Sequence, residues 1–315
     1  ADLFPAVPRI AADRAALSPD TFGDRAWDVV VDTVPMFPRD VETTLAALRG
    51  RTRRYVMCST GSVYAEERPY PIPEDAPTQP CTPEEAESHG METYGARKAE
   101  CERRARALCA EAGIPLFIAR PVVVYGPHDY TDRMHFWLEC ARRGRAVLPD
   151  GGLSIFHCVY VHDLADLFAR MVEADAALAG TYNAAATELF SLRELVQAAS
   201  SVVGTEPRTV SVPGERLVAL GIKPQFDLPI WLADESGRSD HVIMDVSRAH
   251  QFLGFRSTPL AETLRATWEA YRANPRVPLA TVMDPDRLWS LVQDGASAIA
   301  SAGSTPGTTD GPATV

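Results

Sequence analysis

The feature that most restricts the fold is an alternation. Continuous apolar runs at 27–32 (Trp-Asp-Val-Val-Val-Asp), 54–59 (Arg-Tyr-Val-Met-Cys-Ser) and 115–120 (Pro-Leu-Phe-Ile-Ala-Arg) are separated by helical patterns at 40–48 and 92–112. A short run that does not alternate apolar with polar reads as a strand covered on both faces, as in a parallel sheet. Parallel strands need crossovers, and intervening helices make these right-handed βαβ units. The expectation is therefore a doubly wound parallel α/β sheet. The 92–112 helix is rich in Ala, Arg and Glu, and Gly113 ends it.

The second half is more mixed. Helical patterns cover 130–144, 162–174, 191–203 and 260–273, and short strands cover 156–161 and 180–183. His162 and Asp163 suit a helix N-terminus, where Asp is a favoured cap. Ser191 and Glu194 have the spacing of a capping box. Residues 206–240 carry several Pro and Gly and few clear elements, which suits a substrate lobe or lid. Residues 301–315 are dominated by Gly, Ser, Thr, Pro and Ala and read as a disordered tail.

Charge and cysteine usage exclude some classes. The net charge of −11 argues against a nucleic-acid partner, which needs a basic surface. No apolar run reaches the ~20 residues of a membrane-spanning helix. The six cysteines form no CxxC pair, and no His, Cys or Asp cluster has zinc spacing. They read as reduced thiols in a cytoplasmic protein, with no metal site. The basic run Arg142-Arg143-Gly144-Arg145 reads as a solvated helix end.

The chemistry centres on Tyr94-Gly-Ala-Arg-Lys98. Residues at i and i+4 share one helix face. A free Tyr titrates near pH 10 and is a poor base at neutrality, but a neighbouring ammonium favours its phenolate. A hydroxyl cluster, Ser59-Thr60-Gly61-Ser62, stands at the carboxyl end of an expected parallel strand, where α/β sheets place ligands. Glu74-Asp75, Arg120-Pro-Val-Val-Val-Tyr-Gly-Pro127, Tyr160-Val-His-Asp-Leu-Ala165 and Gly180-Thr-Tyr-Asn183 follow, with the Tyr94 helix between the first two.

In this order the motifs resemble the extended short-chain dehydrogenase/reductase family, the NAD-dependent epimerase/dehydratase group, over residues 8–275. The resemblance implies a Rossmann-like sheet with a smaller mixed substrate lobe, NAD or NADP as cofactor, and a sugar-like or nucleotide-sugar-like substrate. It implies that Tyr94 is the acid/base, that Lys98 is its partner and holds the nicotinamide ribose, and that Thr60, four residues before Tyr64, completes the catalytic set. The implied cofactor contacts are Asp13 toward the adenine, Thr33 and Val34 at a strand end, Cys58, Tyr94 and Lys98, with Pro121, Val122 and Val123 facing the nicotinamide. Ser62, His128, Arg133 and Arg238 are the expected substrate contacts, the arginines suiting an anionic group. The expected division is a dinucleotide-binding domain over 1–185, to which 126–157 adds part of the lobe, then the lobe over 186–285, then a C-terminal helix and tail over 286–315. A homodimer is left open.

The sequence departs from the family pattern in three places. The GxxGxxG loop that cradles a pyrophosphate at a helix N-terminus is absent, and the sequence starts near the family's third strand. An N-terminal truncation, poor solubility from exposed strand edges and weak dinucleotide binding are the expectations. Val123 stands where many nucleotide-sugar epimerases carry Asn. Gly61-Ser62 occupies the place of the dehydratases' Asp-Glu pair, which ranks dehydration below epimerisation and reduction. Residues 126–133 also resemble atypical superfamily members, among them chloroplast stem-loop-binding proteins, some of which bind RNA. The intact Thr60, Tyr94 and Lys98 set and the negative charge favour the enzyme. His157 and His162 read as structural hydrogen-bonding residues, and Phe226 and Trp231 as aromatic packing.

Overall fold

The structure, a computed structural model, describes residues 4–233, 237, 243–275 and 282–302, with 295–302 described by backbone alone. In chain order its elements are β1 (Val30–Asp32), α1 (Pro38–Ala47), β2 (Tyr55–Cys58), α2 (Pro83–Glu87), α3 (Tyr94–Ala112), β3 (Leu116–Pro121), β4 (Val123–Tyr125), α4 (Arg133–Arg142) and β5 (Arg145–Pro149). They continue with β6 (Ile155–Phe156), β7 (Cys158–Tyr160), α5 (Val161–Glu173), β8 (Gly180–Ala184), β9 (Phe190–Ser191) and α6 (Leu192–Val203). The last are β10 (Arg208–Val212), α7 (Gly214–Ala219), α8 (Ser247–Leu253), α9 (Leu260–Ala273) and α10 (Pro285–Ala302).

The chain divides into two units. The first comprises residues 1–125, 157–189 and 242–259. Its main sheet is parallel throughout, in the order β1-β2-β3-β8, with Val56 beside Phe117 and Ala119 beside Tyr182. Successive strand residues point to opposite faces. Tyr55, Met57 and Ile118 accordingly pack with Val41, Cys101 and Ala105 of α1 and α3. Val56, Phe117 and Tyr182 pack with Leu167, Met171 and Phe255 on the other side. With helices on both faces, the expected doubly wound α/β architecture is present. β4 and β7 add a second parallel pair.

Four readings of this unit need correction. The 27–32 run is not covered on both faces: only Val30–Asp32 forms a strand, and Val31 is 42% exposed. Among the described residues β1 pairs with β2 alone, so it is an edge strand with one open side. The 156–161 strand is two strands, because Phe156 pairs with Phe190 in β9 whereas Cys158 pairs with Val123 in β4. Asp163 is no cap. Tyr160 holds the N-cap position of α5, and the buried Asp163 carboxylate accepts from the Thr258 N–H at 2.9 Å and its hydroxyl at 2.7 Å. Residues 242–259, expected in the lobe, belong to the first unit. Met244 bridges Ile72 and donates its N–H to His157 Nδ1 at 3.0 Å, and α8 packs on β8 and α5.

The second unit comprises residues 126–156, 190–241 and 260–315. β5 and β10 pair in parallel over five residues, and α4, α6 and α9 pack through Leu138, Ala141, Ala199 and Trp268. The strand β10 lies in the stretch read as having few clear elements. Its Arg-Thr-Val-Ser-Val sequence is mostly exposed, and its pairing is with a strand far away in sequence. The helix expected at 130–144 starts at Arg133, because Asp132 just before it has a left-handed φ of 55°. Ser191 and Glu194 form the expected capping box. The Arg142–Arg145 run is not merely solvated: Arg142 and Arg143 pair with Glu139, Arg143 reaches Asp284 at 2.8 Å and Asp286 at 3.0 Å, and Arg145 reaches Asp286 at 2.8 Å. Trp231 is fully buried as expected of packing, whereas Phe226 is 59% exposed. Residues 303–315, expected to be a tail, lie outside the described residues. No helix among the described residues is long and apolar enough to cross a membrane.

Candidate active site

The carboxyl ends of β1, β2 and β3 lie side by side in the parallel sheet of the first unit. Past β2, Ser59 and Thr60 lead into a single tight turn over Gly61–Val63. Thr60 caps that turn: its Oγ1 accepts the Ser62 N–H at 3.2 Å and donates to Ser62 Oγ at 3.3 Å. Such a cap holds the hydroxyl of Thr60 and that of Ser62 at the strand end.

The first turn of α3 is pressed onto this cap. A Cβ on Gly95 would stand 2.3 Å from the Ser62 carbonyl oxygen and 2.4 Å from Gln79 Nε2. Only glycine allows this approach, so the Gly of Tyr-Gly-Ala-Arg-Lys brings the half-buried Tyr94 and the Thr60 turn together. Gln79 reinforces it by donating to the same carbonyl at 2.8 Å.

Lys98 lies one helical turn further on and is 3% exposed. Its Nζ donates to the carbonyl oxygens of Cys58 and Pro35, each at 2.8 Å. It therefore joins the last residue of β2 to the loop after β1. Burial lowers the Lys98 pKa, opposed by Cys101, Cys58, Asp32 and Glu102. Burial pushes the Cys58 thiol up, and the Lys98 charge works against that rise.

Other expected contacts are distributed as follows. Thr33 and Val34 follow the last residue of β1 and are exposed, Val34 by 60%. Pro121 ends β3 and Val123 opens β4. Between them, Val122 Cγ1 would be 3.4 Å from a Cβ on Gly61, so the strand end and the Thr60 turn touch. Asp13 follows no strand within residues 4–12; it caps a short turn by accepting from Ala15 N at 3.0 Å. His128 and Arg133 belong to the second unit. His128 has a φ of 68° and lines a hollow of about 50 Å³ with His135 and Tyr271, and Arg133 donates to Thr131 Oγ1 at 3.0 Å. Arg238 lies outside the described residues. The second unit also holds an open groove of about 640 Å³ lined by Arg193, Gln197, Glu206, Thr209 and Ser211. Among the described residues no group of three or more His, Cys, Asp or Glu side chains could hold a metal ion.

Sequence reasoning missed a buried polar network behind the turn. Arg120, at the end of β3, donates to both oxygens of Glu102 on α3 at 2.9 and 2.6 Å, and each residue is 3% exposed. Arg120 also donates to the Glu74 carbonyl at 2.9 Å and stacks over the Tyr64 ring at 4.7 Å. Tyr64 donates to Asn183 Oδ1 at 2.6 Å, and the Asn183 N–H donates to Glu74 Oε1 at 3.0 Å. Burial pushes the Glu102 carboxyl up, but Arg120, with Arg106 and other neighbours, holds the pKa below its ordinary value. One signal was available: Tyr94, Lys98 and Glu102 recur every four residues on a helix expected to pack.

Residues 40–185 match the NAD dependent epimerase/dehydratase family. Residues 40–185 are an epimerase/dehydratase family domain. This segment runs from α1 to just past β8 and holds Thr60, Tyr94 and Lys98. The chain is 24% identical over 232 residues, 73% of its length, to the chloroplast stem-loop binding protein of 41 kDa b of Arabidopsis thaliana. It spans about half the length, 54%, of the curated relatives it matches. Among solved structures it is similar to the UDP-glucuronic acid 4-epimerase of Bacillus cereus in complex with UDP-glucuronic acid and NAD. That match has a TM-score of 0.56 and 18% identity, covering 74% of this chain and 66% of the other. It is also similar to RMD from Pseudomonas aeruginosa complexed with NADPH, with a TM-score of 0.62 and 18% identity, covering 85% and 89%. At these identities the solved structures speak to the fold, and they agree with the Rossmann-like sheet.

Proposed function

We propose that the epimerase/dehydratase domain carries the proton-transfer and nicotinamide-facing part of an NAD- or NADP-dependent active site for a sugar nucleotide or a similar sugar. The observation that carries the reading is the placement of Lys98. Two of its three N–H groups are bound to the Pro35 and Cys58 carbonyls at the sheet's carboxyl end, leaving one for a ligand hydroxyl, four residues from Tyr94. The residues present fit the nicotinamide–ribose end of a dinucleotide: a fixed ammonium, the hydroxyls of Thr60 and Ser62, and the apolar Val122 beside Gly61. The described residues 4–29 hold no strand followed by a glycine-rich turn and helix, so the fit concerns that end alone. When bound, the nicotinamide accepts or returns a hydride.

The roles of the side chains follow from their surroundings. Tyr94 takes the proton of the substrate hydroxyl, and the Lys98 charge favours its phenolate. Thr60 turns its O–H from Ser62 Oγ to the reacting oxygen, and Ser62 offers a second hydroxyl at the same turn. Gly61-Ser62 offers no carboxylate pair, which favours epimerisation or reduction over dehydration. The Bacillus cereus neighbour, crystallised with a UDP-sugar and NAD, supports this substrate class. A second reading, stem-loop RNA binding, is favoured by the name of the Arabidopsis relative and opposed by the −11 charge.

The test is saturation-transfer NMR with millimolar NADH, which reads weak binding, on the wild-type chain and on Lys98→Ala. The expected result is a nicotinamide-ribose signal in the wild type that falls at least fivefold in the variant. Equal signals, or binding of a hairpin RNA in preference to NADH, would overturn the reading.

A further inference from the structure

We propose that Arg120 and Glu102 are positioning residues that set the Tyr94 helix against the Thr60 turn and the end of β3; this rests on the active-site reading above. The guanidinium of Arg120 meets all three pieces. It forks onto Glu102, four residues beyond Lys98 and eight beyond Tyr94 on α3. Its Cζ lies 4.7 Å from the ring centroid of Tyr64, the residue that closes the Thr60 turn. Its own backbone directly precedes Pro121 and Val122, and Val122 abuts Gly61. One rigid planar group thus fixes the spacing of the three elements that carry the proposed chemistry.

Stability alone does not account for this arrangement. Both partners are 3% exposed, and removing two charges from water costs about as much as their mutual attraction returns. Apolar pairs of similar volume commonly do as well or better in such places. What an apolar pair lacks is direction. A bidentate guanidinium–carboxylate pair accepts one planar geometry, and reacting groups need to be held within about 0.5 Å. Glu102 is also within 3.4 Å of Arg106, whose guanidinium donates to Thr181 Oγ1 on β8, so the carboxylate is held from two strands. The arrangement places a rigid element where α3 would otherwise slide along the sheet.

Single substitutions are poor tests, because each leaves a buried charge unpaired and destabilises the fold. The informative variant is the double replacement Glu102→Leu with Arg120→Met. Two readouts are compared with the wild type: thermal midpoint, and the ultraviolet titration of the Tyr94 phenol, isolated by subtracting the same chain carrying Tyr94→Phe. NADH saturation transfer is the third. The expected result is a midpoint close to the wild type, a Tyr94 titration moved toward that of free tyrosine, and an NADH signal reduced at least fivefold. Arg120→Lys, which keeps the charge and loses the fork, should fall between.

A double variant that melts, titrates and binds like the wild type would overturn the proposal. A double variant that fails to fold would show the pair to be structural and would overturn it too. If the wild type itself shows an ordinary tyrosine titration and no NADH signal, the active-site reading falls, and the positioning role falls with it.

Discussion

Gly95 lies directly beneath the Ser62 carbonyl, so close that a Cβ on it would stand 2.3 Å from the oxygen. Neither partner can yield cheaply, because one is helix backbone and the other belongs to the capped Thr60 turn. Gly95→Ala should therefore cost about 2 kcal/mol by urea denaturation, within the range of overpacking. Gly61→Ala is the control. Its new Cβ would meet the far end of the flexible Met244 side chain at 3.0 Å, and the loss should be less than half as large.

Tyr94→Phe and Lys98→Ala should separate chemistry from binding. The phenylalanine ring still packs, so NADH binding by Tyr94→Phe should stay within about twofold while turnover of a UDP-sugar falls on the order of a hundredfold or more. Lys98→Ala loses both the ligand contact and the charge that favours the phenolate, and should damage both measurements. Equal and mild effects from the two changes would show that the pair carries neither the proton transfer nor the ribose contact.

His157 should make stability depend on pH. Its Nδ1 accepts the Met244 N–H, which requires a neutral ring, and burial lowers its pKa from 6.5 to about 4. Between those values the unfolded chain binds a proton that the folded chain refuses. The contribution is fully present above pH 6.5 and is lost progressively as pH falls toward 4. From about pH 7.5 to about 5.5 the loss from this residue should be about 1 kcal/mol in urea denaturation. His157→Gln keeps an acceptor without a titration and should flatten the slope in that window.

The Arg143 cluster should govern how firmly α10 is held. Arg143 is shared by Glu139, Asp284 and Asp286, and Arg145 adds a second contact to Asp286. Arg143→Ala should reduce the protection of amides in 286–292 by about 1 kcal/mol in hydrogen exchange, the scale of a small ion-pair network. Protection of β2 and β3 should not change.

Local signals carried most of the secondary structure. The capping box at Ser191, the stop at Gly113 and the helix Leu260–Ala273 depend on neighbours in sequence, and they lie where spacing placed them. β1 differed because covering both faces of a strand requires partners that its own residues do not encode. The break at His157 differed because Phe156 and Cys158 are claimed by strands from different parts of the chain. The candidate site divides the same way. Tyr94, Gly95 and Lys98 are legible as one helical turn. The Arg120–Glu102 pair joins residues 18 apart across a helix and a strand, and Arg120 ends a run that otherwise looks merely apolar.

The three-segment build of the first unit has a consequence for how the chain emerges from synthesis. β3 finds its neighbour β8 only after the second unit's first segment has been made, since Phe117 pairs with Gly180 and residues 126–156 intervene. The bridge from Ile72 to Met244 waits longer still, past 190–241. Neither unit is a contiguous stretch: the first is complete only at residue 259, after most of the second has been made. The nascent chain must keep β2 and β3, with their largely apolar surfaces, unsealed across much of its own length. That is the situation in which slow folding and dependence on chaperones are expected. A cut anywhere in 190–241 would leave each fragment holding parts of both units, so limited proteolysis there should not release either one as an independent piece.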